Sequence, residues 1–356
     1  MPDNRRAAEI GDPPAGGRRP APADRGHLMI ETLEEGLTRL SGERVRVRSL
    51  RDKGFTRSTS FAIQRLDVEL ESGDILPVTF KDLNPLRQLQ VAKDVRRLEL
   101  GRSRREIWMY QHVLPRLALG TPQLYGHRWE PKRGHLWLLM EDVGRHRLGH
   151  RLDLDWYERA AAWAATFHRA TASHRSDNRL LRFDAALYEA RGRHLASMLD
   201  RVADESLPLV KRVLDRYGEL VQLAEGLPRG MIHGEFFGKN VLIRPDRAVE
   251  RIAVIDWETA AIGPQYVDLA SITAGRWART QRMTMRRSYF TARFPAATGD
   301  EDWRRFNREV DIVATLEAVR WLDFWVGSDP RHAKYVSRVS RWLRELRLYV
   351  GEDVEG

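Results

Sequence analysis

His233, Glu235, Asn240 and Asp256 are the residues of this chain whose types and spacing can do chemistry. They fall in two stretches, MIHGEFFGKNVLI (231–243) and VIDWETAAIG (254–263). Glu235 and Asn240 are five residues apart, on a loop that enters the apolar strand Val241-Leu242-Ile243. Asp256 follows the apolar run Ile252–Ile255, sixteen positions after Asn240. Two strands lying side by side would bring Asn240 and Asp256 to a common end. An amide and a carboxylate there can hold magnesium through oxygen, with water and phosphate oxygens completing the shell. Glu235, on the loop before them, can orient a hydroxyl or accept its proton, which is the chemistry of phosphoryl transfer. Plainer readings stand beside this one. His233 can be a hydrogen-bonding residue that fixes its loop, His-x-Glu lacks a third protein ligand for a metal site, and Asp256 can cap the next turn.

The elements that must position these residues change character along the chain. Residues 1–26 are rich in Pro, Gly, Ala and Arg with little to bury, and read as a disordered tail. MIETLEEGLTRLSG follows as a helix with Ile30, Leu33, Leu37 and Leu40 on its apolar side. From Val45 to Leu83 the pattern is one of antiparallel strands, with a hairpin turn at Glu71–Asp74 before a strand at Val78–Leu83. Pro85 to Leu117 reads as two helices or one broken near Gly101, and a strand pair is expected near Leu124–Gly126 and Leu136–Met140. Beyond Glu141-Asp142 the chain is mainly helical, with WYERAAAWAATFHRATA the clearest helix and further ones over 186–224, 280–294 and 302–326. The two chemical stretches form a sheet-like insert between helical groups. The fold class is therefore α+β, in two lobes.

Composition narrows the function. A chain of 356 residues, 42% apolar, has enough material for two domains. With no cysteine, disulfides and thiolate zinc sites are excluded. No apolar run reaches membrane-spanning length and the N-terminus has no signal-peptide order, so a cytoplasmic enzyme is expected. The net charge of +10 comes from scattered arginines with no sustained basic block, zinc-finger spacing or RNA-binding aromatic motif, so nucleic acid is not an expected partner. No Walker sequence is present.

HGEFFGKNVLI and VIDWETAAIGPQYVDLA together resemble, in order and spacing, the catalytic loop and metal-binding segment of the aminoglycoside phosphotransferase and choline kinase-like superfamily. The resemblance runs from about residue 46 to 345. It implies a bilobal protein-kinase-like fold, with a nucleotide-binding lobe over 27–142, built on a small antiparallel sheet, and a larger helical catalytic and acceptor-binding lobe over 143–352. It implies ATP and Mg2+ as cofactors. Glu235 falls at the acceptor-facing base position, Asn240 and Asp256 at the metal, His233 at a loop support, and Asp268 and Gly263 at the family's structural Asp and Gly. Lys81, in PVTFKDL, matches the strand lysine that meets ATP phosphates, with Glu106 as its carboxylate partner and Glu99 as the competitor. Gly54 with Ser58, Thr59 and Ser60 would be a phosphate-cradling loop, though it has one glycine. Met140, Glu141 and Val143 fit the adenine hinge.

One departure stands out: the family's catalytic-loop Asp is Glu235 here. The extra methylene carries the carboxylate about 1.5 Å farther, and misplacement by about 1 Å costs roughly a hundredfold in rate. An active kinase is expected, with either the backbone adjusted or the acceptor seated differently; the alternative is a catalytically impaired nucleotide-binding regulatory protein. The acceptor is a small hydroxylated molecule such as a sugar, aminoglycoside or nucleoside. Candidate lining residues are Trp257, Arg276, Trp277, Glu317, Arg320, Trp321, Asp323, Phe324 and Trp325, with half-buried packing the favoured reading for most of them. Monomer and homodimer are both compatible, the latter through the amphipathic VSRVSRWLRELRLYV.

Overall fold

Helix α1 (Pro22–Ser41) begins at a proline, whose fixed φ suits the first helical position. Residues 22–26 therefore belong to a helix and not to the expected tail. The computed structural model describes residues 22–57, 61–87, 100–151, 153–174, 177–244, 251–297 and 299–350. They fall into two compact units, one within Met1–Lys93 and Leu124–Asp142, the other within Asp94–Gln123 and Val143–Gly356. Residues 100–123, expected with the first lobe, thus cluster with the second.

The first unit is a five-stranded antiparallel sheet in the order β1-β2-β3-β5-β4, from β1 (Val47–Arg57), β2 (Ala62–Leu70), β3 (Ile75–Asp82), β4 (Leu124–Glu130) and β5 (His135–Glu141). Helix α1 covers one face. Met29, Leu33 and Leu37 meet Leu66, Val68, Val78, Phe80, Trp137 and Leu139 in one core, whereas Leu40 is exposed in the last turn. The helix crosses β4 at a glycine pair. A Cβ on Gly36 would overlap the Tyr125 carbonyl, and one on Gly126 would come within 2.6 Å of the Thr32 carbonyl. Backbone approach this close leaves no room for a side chain.

The second unit is built on helices. Helix α2 (Leu100–Trp108) runs into a π turn at Met109–Val113 and a 3-10 turn at Leu114–Arg116. It joins this unit because Arg105 donates to the main-chain carbonyls of Glu258 and Arg179. The remaining helices are α3 (Leu154–Ala170), α4 (Ala185–Ala196), α5 (Leu207–Asp215), α6 (Tyr217–Glu225), α7 (Tyr266–Thr273), α8 (Arg279–Arg293), α9 (Asp300–Val326) and α10 (Tyr335–Val350). Helix α3 packs on α8, and α9 packs on α4, α7 and α10. The apolar side of α10, a candidate dimer face in the sequence, buries Trp342, Leu343 and Leu346 within this unit. Among the described residues no helix is long and apolar enough to cross a membrane.

Two small sheets carry the chemical stretches. β7 (Arg229–Ile232) pairs antiparallel with β10 (Ala261–Pro264), which also pairs parallel with the two-residue β6 (Leu181–Arg182). β8 (Val241–Arg244) and β9 (Arg251–Val254) form an antiparallel ribbon in which Val241 faces Val254. Val143, Leu242 and Ala253 make a satellite core beneath it.

Candidate active site

The β8–β9 ribbon brings the start of one strand to the end of the other, so Asn240 and Asp256 meet at a common end. The Ile255 N–H donates to the Asn240 carbonyl at 3.0 Å. Asn240 is buried, and its Nδ2 donates to the Glu235 carbonyl at 3.0 Å, closing the loop on itself and leaving Oδ1 as the acceptor end of the amide. Asp256 adopts the left-handed conformation, φ 70° and ψ 59°. Such a conformation costs a non-glycine residue roughly 1–3 kcal/mol and clusters at functional sites, although Asp tolerates it better than most.

The loop before Asn240 hangs from Asp268, on α7. One carboxylate oxygen, Oδ2, accepts the His233 N–H at 2.8 Å, and the other accepts the Gly234 N–H at 3.0 Å. Oδ2 also lies 3.1 Å from Nε2 of His168, whose Nδ1 is 2.8 Å from the Tyr289 hydroxyl. All five residues are buried, so the bonds to the Asp268 carboxylate act in a low-dielectric setting. Gly234 has φ +81°, and a Cβ there would come within 2.5 Å of the Thr259 carbonyl. Only glycine fits this bend.

His233 ties the loop to the second stretch. Its Nε2 donates to the Ile255 carbonyl at 3.0 Å, and Nδ1 accepts the Glu235 N–H at 3.3 Å. That pairing requires one protonated and one bare ring nitrogen, a neutral imidazole. Burial lowers its pKa below the ordinary value, against the opposing pull of Asp268. The side chain is wholly enclosed, with its ring 4.6 Å from that of Trp257.

Glu235 is 6% exposed. Its Oε2 lies 3.1 Å from Nζ of Lys239, four residues on across the 3-10 turn Gly238–Asn240. The same ammonium lies 5.8 Å from the centre of the Phe237 ring. Gly238 lets the turn approach Gly149 and the Tyr157 hydroxyl, both within 3 Å of where its Cβ would stand.

Among the described residues no three His, Cys, Asp or Glu side chains gather as a metal cage. The donor set at the ribbon's end is an amide oxygen and a carboxylate. This suits magnesium, which dehydrates reluctantly and takes one or two protein ligands beside phosphate and water.

The other candidates are spread more widely. Lys81 is buried on β3 of the first unit, opposite Ile63 and Leu138, with Nζ 5.8 Å from the Phe61 ring. Glu106 is buried on α2 of the second unit. Gly54 sits inside β1 with φ +95° at a bulge, its N–H donating to Asp52 at 2.6 Å, so the expected loop begins as strand. Ser58, Thr59, Ser60 and Glu99 lie outside the described residues. Met140 and Glu141 end β5, and Val143 is core. Gly263 packs its Cα side on Phe183, where a Cβ would come within 2.7 Å.

The acceptor candidates divide. Trp257 is fully buried against His233 and Phe167, with Nε1 donating to the Val254 carbonyl, so no indole face is left for an acceptor. Glu317 is also buried. Arg320 Nε reaches both its oxygens at 3.0 and 3.1 Å, and Tyr188 donates to it. Burial raises the Glu317 pKa, against the opposing effect of Arg320. Asp323 is buried and holds Arg191 and His194. Trp277 packs on Tyr157 at 4.7 Å. Arg276 is exposed, whereas Trp321, Phe324 and Trp325 are half-buried. Trp321 stacks on Trp342 at 5.9 Å, and both approach Phe237, the second residue after Glu235.

Sequence reasoning passed over Phe237, Lys239, His168, Arg338, Arg341 and Trp342. Phe237 and Lys239 lie inside the quoted motif and were open to notice. His168, Arg341 and Trp342 carry no local signal, because only tertiary contact joins them to the loop, and Arg338 lies against Trp325.

A model described as the phosphotransferase enzyme family matches residues 89–308 of the chain. No curated protein sequence matches it. Among solved structures, the chain is similar to choline kinase from Cryptosporidium parvum, with TM-score 0.57 and 10% identity over 91% of this chain and 96% of that one. It is also similar to a GDP complex of aminoglycoside 2'-phosphotransferase-IIIa (TM-score 0.56, 15% identity, 88% and 96% covered). Plasmodium vivax ethanolamine kinase gives TM-score 0.53 at 11% identity, covering 85% of this chain and 82% of that one.

Proposed function

The chain belongs to the phosphotransferase enzyme family, and from that we propose that it transfers the γ-phosphoryl group of ATP to a hydroxyl of a small molecule, with magnesium. Glu235 is assigned to the acceptor hydroxyl, which it orients and whose proton it accepts. Asn240 and Asp256 are assigned to the metal, and Lys81 and Glu106 to nucleotide binding. Magnesium, when bound, would neutralise charge on the phosphate oxygens. His233 and Asp268 hold the loop in shape, as positioning residues. We place the reaction in the cytoplasm, where ATP and magnesium are supplied.

The observation that carries this reading is the left-handed Asp256, one residue beyond the hydrogen bond from Ile255 to Asn240. Asp takes this conformation in ordinary turns as well, so the weight lies in where it does so: at the ribbon end it shares with the buried Asn240, where a pair of metal ligands would stand. Phosphoryl transfer needs little covalent chemistry from the protein, so positioned oxygens and a carboxylate near the acceptor are the parts required.

The test is an acceptor screen read by ADP release, with Glu235→Gln in parallel. The amide keeps the shape and loses the charge. We expect the variant to bind Mg-ATP as the parent does and to turn over at least about a hundredfold more slowly, the usual scale for a lost general base. Full turnover by Glu235→Gln would remove the carboxylate from the mechanism.

A further inference from the structure

The wall beside Glu235 is basic as well as aromatic. Phe237, Trp321 and Trp342 pack together, with ring centres 5.4, 5.9 and 6.2 Å apart. Lys239 links this wall to the site, because its ammonium lies 3.1 Å from Glu235 Oε2 and 5.8 Å from the Phe237 ring. Arg341 approaches the same ring at 5.9 Å and the Trp342 ring at 5.2 Å. Arg338, one turn earlier on α10, lies 5.9 Å from Trp325.

Their charges are poorly matched from within the chain. Among the described residues neither Arg338 nor Arg341 has a carboxylate at salt-bridge distance. Arg341 donates Nη2 to the Ala274 carbonyl at 2.9 Å, and its Nε is buried without a hydrogen-bond partner. Glu345, the nearest acid to influence Arg341, is held by both Nη atoms of Arg282 at 2.8 and 3.0 Å. Burial lowers the pKa of Arg341 and Arg338. Glu317 is occupied by Arg320. Trp342 is 4% exposed and Trp321 is half-buried, and the indole Nε1 of each is buried without a partner. Donors therefore outnumber acceptors on this wall, and burying such groups unsatisfied is costly.

We propose that the acceptor is an anion, a hydroxylated molecule bearing a carboxylate or phosphate, bound by Arg341 and Arg338 against the Phe237–Trp321–Trp342 wall. This rests on the kinase reading of Glu235. A cationic acceptor fits poorly. Aromatic recognition of an ammonium needs ring faces, and Phe237, Trp325 and Trp342 already lie against the chain's own arginines. An amine-rich acceptor would need unpaired carboxylates, and the acids of this region, Glu317, Asp323 and Glu345, are each committed to a cation. An oxyanion supplies the missing acceptors, and an arginine fork suits its geometry.

The test is calorimetry on the full chain saturated with magnesium and the β,γ-imido analogue of ATP, which fills the donor phosphate positions. Inorganic phosphate, acetate and choline chloride are titrated at constant ionic strength. We expect saturable binding of phosphate or acetate, the preferred one naming the acceptor's anionic group, and none of choline. Arg341→Met and Arg338→Met should each weaken anion binding about tenfold or more, the scale of one charge-assisted hydrogen bond. Arg341→Lys should keep much of it, and the exposed Arg308→Met should change nothing. Nucleotide affinity should be the same in all, which also shows that each variant is folded. Saturable choline binding, no anion binding, or anion binding indifferent to Arg341 and Arg338 would overturn the proposal. Absence of nucleotide binding in the parent would instead strike the kinase reading, and titration of the nucleotide-free protein would still decide the anion site.

Discussion

Lys239 Nζ stands 3.1 Å from Oε2 of Glu235, four residues before it. This contact bears on the longer carboxylate at position 235. A glutamate in place of an aspartate adds a rotatable bond, and an ion pair to a residue of the same short turn restricts it. The Glu235 side chain is nearly buried while that of Lys239 is 36% exposed, so the pair is screened on one side only.

Lys239→Met should therefore act on turnover more than on binding. We expect kcat to fall about tenfold, because a looser base loses orientation in the transition state, with Mg-ATP affinity little changed. Lys239→Arg should recover part of the loss. ADP release under saturating acceptor, with nucleotide calorimetry alongside, makes the comparison. An unchanged kcat would show that Glu235 needs no restraint from Lys239.

Asp268→Asn should destabilise the protein by about 3 kcal/mol, the scale for weakening a buried charged network. The carboxylate accepts from two successive main-chain N–H groups and contacts His168. An amide offers one oxygen, and its NH2 would confront a donor. Denaturant unfolding of parent and variant measures the difference; a loss under about 0.5 kcal/mol, the ordinary scale of a surface change, would mean the loop is held by something else.

Acid should weaken the fold through His233. Its pKa in the folded chain is below the ordinary 6.5, with burial the main cause. Just below pH 6.5 the unfolded chain takes a proton at this residue and the folded chain does not. Stability contributed by the neutral ring is thus complete above 6.5, falls as pH drops through that value, and levels off below the folded pKa. His233→Gln should show a shallower decline in denaturation midpoint between pH 7 and 5. Equal slopes for parent and variant would contradict the assignment.

The sheet of the first unit was legible because apolar residues recur there in an imperfect alternation, Phe61, Ile63, Leu66, Val68 and Leu70, and Gly73 marks the hairpin. Residues 100–123 cluster with the second unit, and Arg105 there reaches main-chain carbonyls far along the chain, a contact with no local trace. The meeting of Asn240 and Asp256 followed from two apolar runs of similar length. The wall proposed for the acceptor did not: helical spacing grouped Glu317, Arg320, Trp321 and Phe324 on one face, yet Glu317 is inside and the partners of Trp321 come from α10 and Phe237. Trp257 stood among the candidate acceptor-lining residues, but the 3-10 turn Trp257–Thr259 directs it into the core.

Calorimetry of ATP, in magnesium and again in EDTA, tests the central claim most directly, with Asp256→Asn as the comparison. Asparagine also tolerates the left-handed conformation, so the variant removes charge without adding strain. Micromolar binding in magnesium, at least about tenfold weaker in EDTA, with that difference largely abolished in Asp256→Asn, is the predicted result. Equal affinity with and without magnesium, or no binding by the folded protein, would contradict the assignment of Asn240 and Asp256 to a metal-nucleotide complex.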